Sequence, residues 1–151
     1  MLRVAEIRSV TPEEAAVLLA EGYVYVDVRS EPEFEAGHVP GALNVPLLHQ
    51  TTAGAGMTAN PEFLQVMKEA FAPGEKLIIG CKAGGRSKKA AEQLLQAGYT
   101  ELSDMSAGWE GSRDAFGRAL PGWSKKELPV EHGKPDGQAY ADVKRRSPRS
   151  V

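Results

Sequence analysis

The stretch Lys76-Leu77-Ile78-Ile79-Gly80-Cys81-Lys82-Ala83-Gly84-Gly85-Arg86-Ser87 decides the reading of the fold. Its first part, KLIIG, is a short apolar run that comes after the Pro73-Gly74 turn. It is too short for a buried helix and reads as the central, parallel strand of a sheet covered on both faces. From Ser87 to Ala97 the apolar residues Ala90, Ala91, Leu94 and Leu95 share one helical face, and Gly98 stops the helix. Residues Cys81 to Arg86 are therefore the loop between a strand and a helix. In an open α/β sheet, ligands bind beyond the carboxyl ends of the strands, so Cys81 faces the place where chemistry occurs.

The same alternation continues outward from this unit. Thr11, Pro12 and Glu14 form a capping-box start for a helix that Gly22 ends. Tyr23 to Val28 (YVYVDV) reads as a buried strand ending at Asp27-Val28-Arg29. Pro32 opens a helical turn that Gly37 closes, and Ala42 to Val45 is a short strand. Thr51 to Thr58 reads as a flexible loop, and Asn60-Pro61 caps a helix carrying Phe63, Leu64, Met67, Ala70 and Phe71. Glu101 to Met105 is a last strand. Strands alternating with helices predict an α/β fold with a mostly parallel sheet flanked by helices on both faces. Residues 1–130 form one domain in this reading, with Trp123 anchored on its body. From Glu131 to Val151 the chain is polar and rich in Gly, Pro and charge, which predicts a loosely held or disordered tail.

Composition is that of an ordinary globular domain: 151 residues, 42% apolar, 25% charged, with a formal net charge of −2. That charge gives no reason to expect nucleic-acid or membrane binding. The basic run Lys144-Arg145-Arg146-Ser147-Pro148-Arg149 reads as a solvated end rather than a docking patch. Cys81 is the sole cysteine, so no internal disulfide forms and a reducing compartment is the default. No apolar run approaches the roughly 18 residues of a membrane span, and MLRVAEIRSV has no apolar signal region. A cytoplasmic location is the resulting expectation. His38, His49 and His132 are scattered without ligand spacing, so no metal is expected.

A buried, inert cysteine would not be succeeded by Lys82, two glycines and Arg86. Here three features favour the thiolate, which is the nucleophilic form. The helix from Ser87 points its positive end at the loop. Gly84 and Gly85 let successive amides converge on one anion. Arg86 and Lys82 add positive charge. A second stretch, Asp27-Val28-Arg29, ends a strand and reaches the same sheet edge. Either Asp27 and Arg29 orient loop residues such as Arg86, or they form an ion pair that only fixes the fold.

Taken together, Asp27-Val28-Arg29, Glu33-Phe34, Gly37-His38, Gly41-Ala42, Asn44-Val45-Pro46 and Cys81-Lys82-Ala83-Gly84-Gly85-Arg86-Ser87 resemble the rhodanese family in order and separation. The resemblance covers about residues 9 to 130. GMTANPEF and CKAGGRS are especially like the small single-domain rhodaneses of plants and their bacterial relatives. It implies a five-stranded, mostly parallel sheet and a thiosulfate sulfurtransferase working through a persulfide on Cys81. Lys82, Ala83, Gly84, Gly85, Arg86 and Ser87 would cradle the sulfur and bind a small anionic donor. The acceptor would be a thiol, cyanide or a thioredoxin-like protein, and no cofactor is implied. The chain departs from the family pattern after Trp109, where SRDAFGRAL reads as an insertion.

Other functions are weaker fits. A phosphatase or arsenate reductase of like architecture needs its cysteine and arginine one position further apart than Cys81 and Arg86. A non-catalytic interaction module of this kind usually lacks the cysteine or the loop charges. A persulfide carrier that only relays sulfur between proteins has the same sequence requirements as a free-standing enzyme.

Overall fold

A computed structural model describes residues 5–51 and 56–149. In chain order the elements are β1 Ile7–Val10, α1 Pro12–Ala20, β2 Val24–Asp27, α2 Glu31–Ala36, β3 Leu43–Asn44, β4 Leu48–Gln50 and β5 Met57–Ala59. Next come α3 Phe63–Ala70, β6 Leu77–Gly80, α4 Gly85–Gln96, β7 Leu102–Met105, β8 Gly111–Arg113, β9 Ala119–Pro121, a 3-10 turn Trp123–Lys125 and α5 Tyr140–Val143. The main sheet has five strands in the order β1-β7-β6-β2-β3, and every pairing is parallel. The expected α/β fold is therefore present, with β6 at the centre. Asp27 lies in register with Gly80, so β2 and β6 end side by side.

Side chains alternate across this sheet, which splits the core in two. Val26, Leu77, Ile79 and Leu102 pack with Met67, Ala91 and Leu94 beneath α3 and α4. Tyr25, Ile78 and Met105 pack on the other face with Ala15 of α1, Phe34 of α2 and Trp123. The expected start of α1 holds in detail. The Thr11 hydroxyl accepts from the Glu14 amide at 3.1 Å, and the Glu14 carboxylate accepts from the Thr11 amide at 2.8 Å.

Four local expectations change. Ile7–Val10, which has no strong strand signature of its own, adds the edge strand β1 alongside β7. Part of the loop expected over Thr51–Thr58 is strand, because Met57–Ala59 pairs antiparallel with Leu48–Gln50; residues 52–55 of that loop lie outside the described residues. Helix α4 begins at Gly85 rather than Ser87. The segment expected to be an insertion folds back as the β8–β9 hairpin.

The expectation of a loose segment from Glu131 is corrected. Its backbone exchanges both hydrogen bonds with His38, at 2.8 and 2.9 Å. Tyr140 and Val143 of α5 are buried in the α3–α4 side of the core, and the Asn60 amide group donates to the Tyr140 hydroxyl at 3.0 Å. In the basic run, Arg146 pairs with the buried Glu75 at 3.1 Å and lies over the Phe71 ring. Apolar residues three apart on one helical face are enough to dock a segment whose average composition is polar.

Candidate active site

Cys81 comes directly after the last residue of β6 and is only 2% exposed. One side of it packs in the apolar cluster beneath α3 and α4. The sulfur meets polar groups on the other side: the Gly84 amide donates to Sγ at 3.1 Å, and Ser87 Oγ lies 3.5 Å from it. Gly84 occupies the N-cap of α4 with φ +94°, a left-handed conformation that places its amide on the sulfur. A Cβ there would stand 2.5 Å from the Ser106 carbonyl oxygen, so both conformation and space call for glycine. The carbonyls of Cys81 and Lys82 are tied the other way, accepting from the amides of Trp109 at 2.7 Å and Glu110 at 3.0 Å. The loop is thus held at both of its backbone faces, with the twelve-residue helix α4 starting directly behind the sulfur.

The cations are arranged differently from the expectation. Arg86 donates through both terminal nitrogens to the Glu33 carboxylate, at 2.7 and 2.9 Å, so its charge is already matched. Burial pushes the Glu33 carboxyl up, but hydrogen bonds from Arg86 and Ser30 outweigh it and hold the group at about 2. The same carboxylate completes the start of α2 by accepting from the Ser30 amide and hydroxyl. Glu33 therefore ties the active loop to α2, and sequence reasoning missed it.

Asp27 and Arg29 do not touch Arg86 in any hydrogen bond or ion pair among the described residues. They bind each other, with the Arg29 guanidinium donating to both carboxylate oxygens at 2.7 to 3.1 Å. Arg29 also donates to the Gly37 carbonyl at 2.7 Å and lies over the Trp109 ring at 5.0 Å. Burial works against the Arg29 charge, and the adjacent Asp27 carboxylate more than offsets it. The fold-fixing alternative is the one the contacts support for this pair.

Lys82 is the loop cation that stays half-exposed, 3.7 Å from Glu110. Ala83 and Gly85 supply backbone only; Gly85 leaves open space where a Cβ would stand. Beside the loop, a cleft of about 800 Å³ lies between Ala83 and the β8–β9 hairpin, lined also by Glu110, Arg113, Leu120 and Lys125. One further buried carboxylate is Asp104 of β7, in register with Ile79 of β6 and without a hydrogen-bond partner at Oδ1. Its signal in the sequence was a carboxylate inside an otherwise buried strand, LSDM. Among the described residues no cluster of three or more His, Cys, Asp or Glu side chains is arranged to hold a metal.

Comparison with known proteins gives this geometry its relatives. Residues 11–115 match the Rhodanese-like domain. The chain is 37% identical over 123 residues to thiosulfate sulfurtransferase 16, chloroplastic, of Arabidopsis thaliana, covering 82% of this chain and 92% of that one. It is equally similar to rhodanese-like domain-containing protein 15, chloroplastic, of the same plant, but spans 60% of that longer protein. Among solved structures, Rv0390 from M. tuberculosis superposes with a TM-score of 0.68 at 29% identity, covering 85% of this chain and all of that one. On the extent of these matches, and with a cysteine-bearing loop at the end of the central strand, the chain belongs to the rhodanese family.

Proposed function

We propose that the protein is a rhodanese-type sulfurtransferase that moves a sulfane sulfur from thiosulfate, or a related small anion, to a thiol or cyanide through a persulfide on Cys81. The observation that carries this reading is the seat of the sulfur: Cys81 Sγ at the carboxyl end of the central strand, with the Gly84 amide donating to it at 3.1 Å. An amide at the positive end of a helix favours negative charge on that atom, whether thiolate or persulfide. The relative named thiosulfate sulfurtransferase supports the same chemistry.

In the first step the Cys81 sulfur attacks the outer sulfur of thiosulfate. A sulfur–sulfur bond forms, the bond to the sulfonate sulfur breaks, and sulfite leaves with its electron pair. In the second step a thiolate or cyanide attacks the outer persulfide sulfur, and the Cys81 thiolate departs. With Arg86 matched by Glu33, the donor's charge falls to Lys82 and to the loop amides. The cleft between Ala83 and the β8–β9 hairpin is the approach for the acceptor, including a thioredoxin-like protein.

Intact-mass measurement after thiosulfate treatment tests the reading. The wild type gains one sulfur atom, releases sulfite and loses the sulfur on adding cyanide; Cys81→Ser gains none. A wild type that stays at its original mass but hydrolyses an aryl phosphate would move the assignment to the phosphatases. A wild type that does neither fits a non-catalytic module.

A further inference from the structure

None of residues 111–121, the β8–β9 hairpin, belongs to either part of the core, yet the base of the hairpin is fixed to the active loop. Trp109 and Glu110, which lead into β8, donate their amides to the Cys81 and Lys82 carbonyls. Trp123 and Ser124, which follow β9, donate theirs to the Gly108 and Trp109 carbonyls at 3.0 and 2.9 Å. Ser112 Oγ donates to the Ser106 carbonyl at 2.9 Å, the same oxygen that Gly84 approaches.

The tip is equally ordered. One Asp114 oxygen accepts from the amides of Phe116 and Arg118, at 2.9 Å each, and the other from the Arg118 guanidinium at 3.0 Å. Gly117, with φ +79°, closes the turn, and the Arg113 guanidinium donates to its carbonyl at 2.8 Å. This framework presents Phe116 to solvent, 83% exposed, with the Arg118 guanidinium over its ring at 5.3 Å. A lone exposed apolar residue is ordinary. An aromatic ring on a turn already held in place is different, because little entropy is lost when another surface covers it.

Charge says what that surface is. The cleft between the hairpin and Ala83 is lined by two cations, Arg113 and Lys125, that form no ion pair among the described residues. Its one carboxylate, Glu110, is 3.7 Å from Lys82 of the loop. The chain as a whole carries a net charge of −2, so this rim has the opposite sign to the molecule. Each arm of the hairpin is three residues long, which places Phe116 about 10 Å beyond its base, out of reach of a small thiol at the sulfur.

We propose that the β8–β9 hairpin is the docking edge for a protein acceptor whose thiol lies in acidic surroundings, with Phe116 as the apolar anchor. The inference rests on the persulfide reading above. The acceptor thiolate attacks the outer sulfur of the Cys81 persulfide. A sulfur–sulfur bond forms on the acceptor, the bond to Cys81 Sγ breaks, and its electron pair leaves on the Cys81 thiolate, so no oxidant or reductant is consumed. Arg113 and Lys125 hold the acidic flank of the acceptor during this step.

The test loads the persulfide with thiosulfate and follows its discharge by rapid mixing. The acceptors are cyanide and two synthetic peptides of about ten residues, long enough when extended to run from the loop to the hairpin tip. Both peptides carry one cysteine and a distal leucine; glutamates flank the cysteine in one, lysines in the other. The intrinsic reactivity of each thiol is the same for every form of the protein and cancels when the glutamate-to-lysine rate ratio is compared between forms. That ratio should fall about tenfold in Arg113→Glu combined with Lys125→Glu, and in the wild type it should rise as salt is lowered. Phe116→Ser should slow both peptides about threefold or more and leave discharge to cyanide at the wild-type rate. A ratio unmoved by the charge reversal overturns the proposal. So does a Phe116→Ser protein that slows cyanide as much as the peptides, or slows neither. A single-stranded oligonucleotide that blocks discharge to cyanide would make the ligand a nucleic acid and overturn it too. A wild type that takes no sulfur from thiosulfate sinks the parent reading; one that loads sulfur and passes it to cyanide, with unaltered variants, sinks the docking edge alone.

Discussion

At the scale of single residues, the active loop separates two cations with different tasks. Lys82 is half-exposed and loosely paired, and under the proposed sulfurtransferase reading it is the cation that meets the donor. Replacing it with alanine should raise the KM for thiosulfate about tenfold with little change in kcat, the pattern of a lost contact made equally in ground and transition states. Steady-state kinetics at fixed ionic strength would show it; a drop in kcat with KM unchanged contradicts the assignment. Arg86 is occupied by Glu33, so its loss should act through stability. Arg86→Ala leaves a half-buried carboxylate without its charged partner and should cost about 2 kcal/mol in a urea titration. The pair also has a pH signature. The Glu33 carboxyl is held at about 2 when folded against an ordinary value of 4.5, so its stabilising contribution is complete above the ordinary value and fades as pH falls toward the folded one. Glu33→Gln should flatten that acid limb of stability. Arg86 stood out in the sequence because it comes after two glycines, but its partner did not. Glu33 lies 53 residues earlier, and spacing along a chain carries no information about which of several carboxylates near one sheet edge will reach a given guanidinium.

At the scale of elements, the loop is shaped by the turn after β7 as much as by α4. Gly108, with φ +73°, brings its Cα so close to the loop that a Cβ would stand 2.5 Å from the Lys82 carbonyl oxygen and 2.9 Å from that of Cys81. Gly108→Ala should therefore damage the site through backbone rather than chemistry. We expect a loss of stability of about 1–3 kcal/mol, together with slower persulfide formation even in the folded fraction. Full sulfur loading at the wild-type rate would refute this. Most elements around the loop were legible: periodicity and end signals located α1, β2, α3, β6, α4 and β7 to within two or three residues. The start of α4 was displaced because Gly84, not a side chain near Ser87, is the cap, and a left-handed glycine cap leaves no side-chain signature. Strand β1 was missed because Arg8 and Ser9 interrupt its two apolar residues; an edge strand with polar middle positions acquires its identity only from its neighbour β7.

At the scale of the whole molecule, the segment after Leu128 closes the fold by pairing with His38 and filling the core on the α3–α4 side of the sheet. His38, fully buried and stacked on Phe34, has both ring nitrogens within hydrogen-bond distance of acceptors, the Phe34 carbonyl at 2.7 Å and the Glu131 carboxylate at 3.0 Å. Further on, Tyr140 and Val143 fill the core, and Arg146 covers Phe71 and pairs with Glu75. Ending the chain after Val130 would expose these partners together. Burying a residue such as Tyr140 or Val143 is worth about 1.5–3 kcal/mol each, and the loss of both leaves a cavity lined by α3 and β3. The truncated chain should lose about 4 kcal/mol or more, a large part of a typical domain's stability. Its unfolding midpoint should drop well below that of the full chain. The paired change Tyr140→Ala with Val143→Ala should reproduce most of that loss without shortening the backbone, which distinguishes core filling from the pairing of Glu131 with His38. Among the described residues, the active loop is tied by Glu33 and by the Trp109 and Glu110 amides, and no hydrogen bond or ion pair joins it to this segment. Whatever fraction of the truncated protein remains folded at low temperature should accordingly load sulfur at the full rate. An unchanged midpoint on truncation would mean that these contacts add nothing to the stability of the fold.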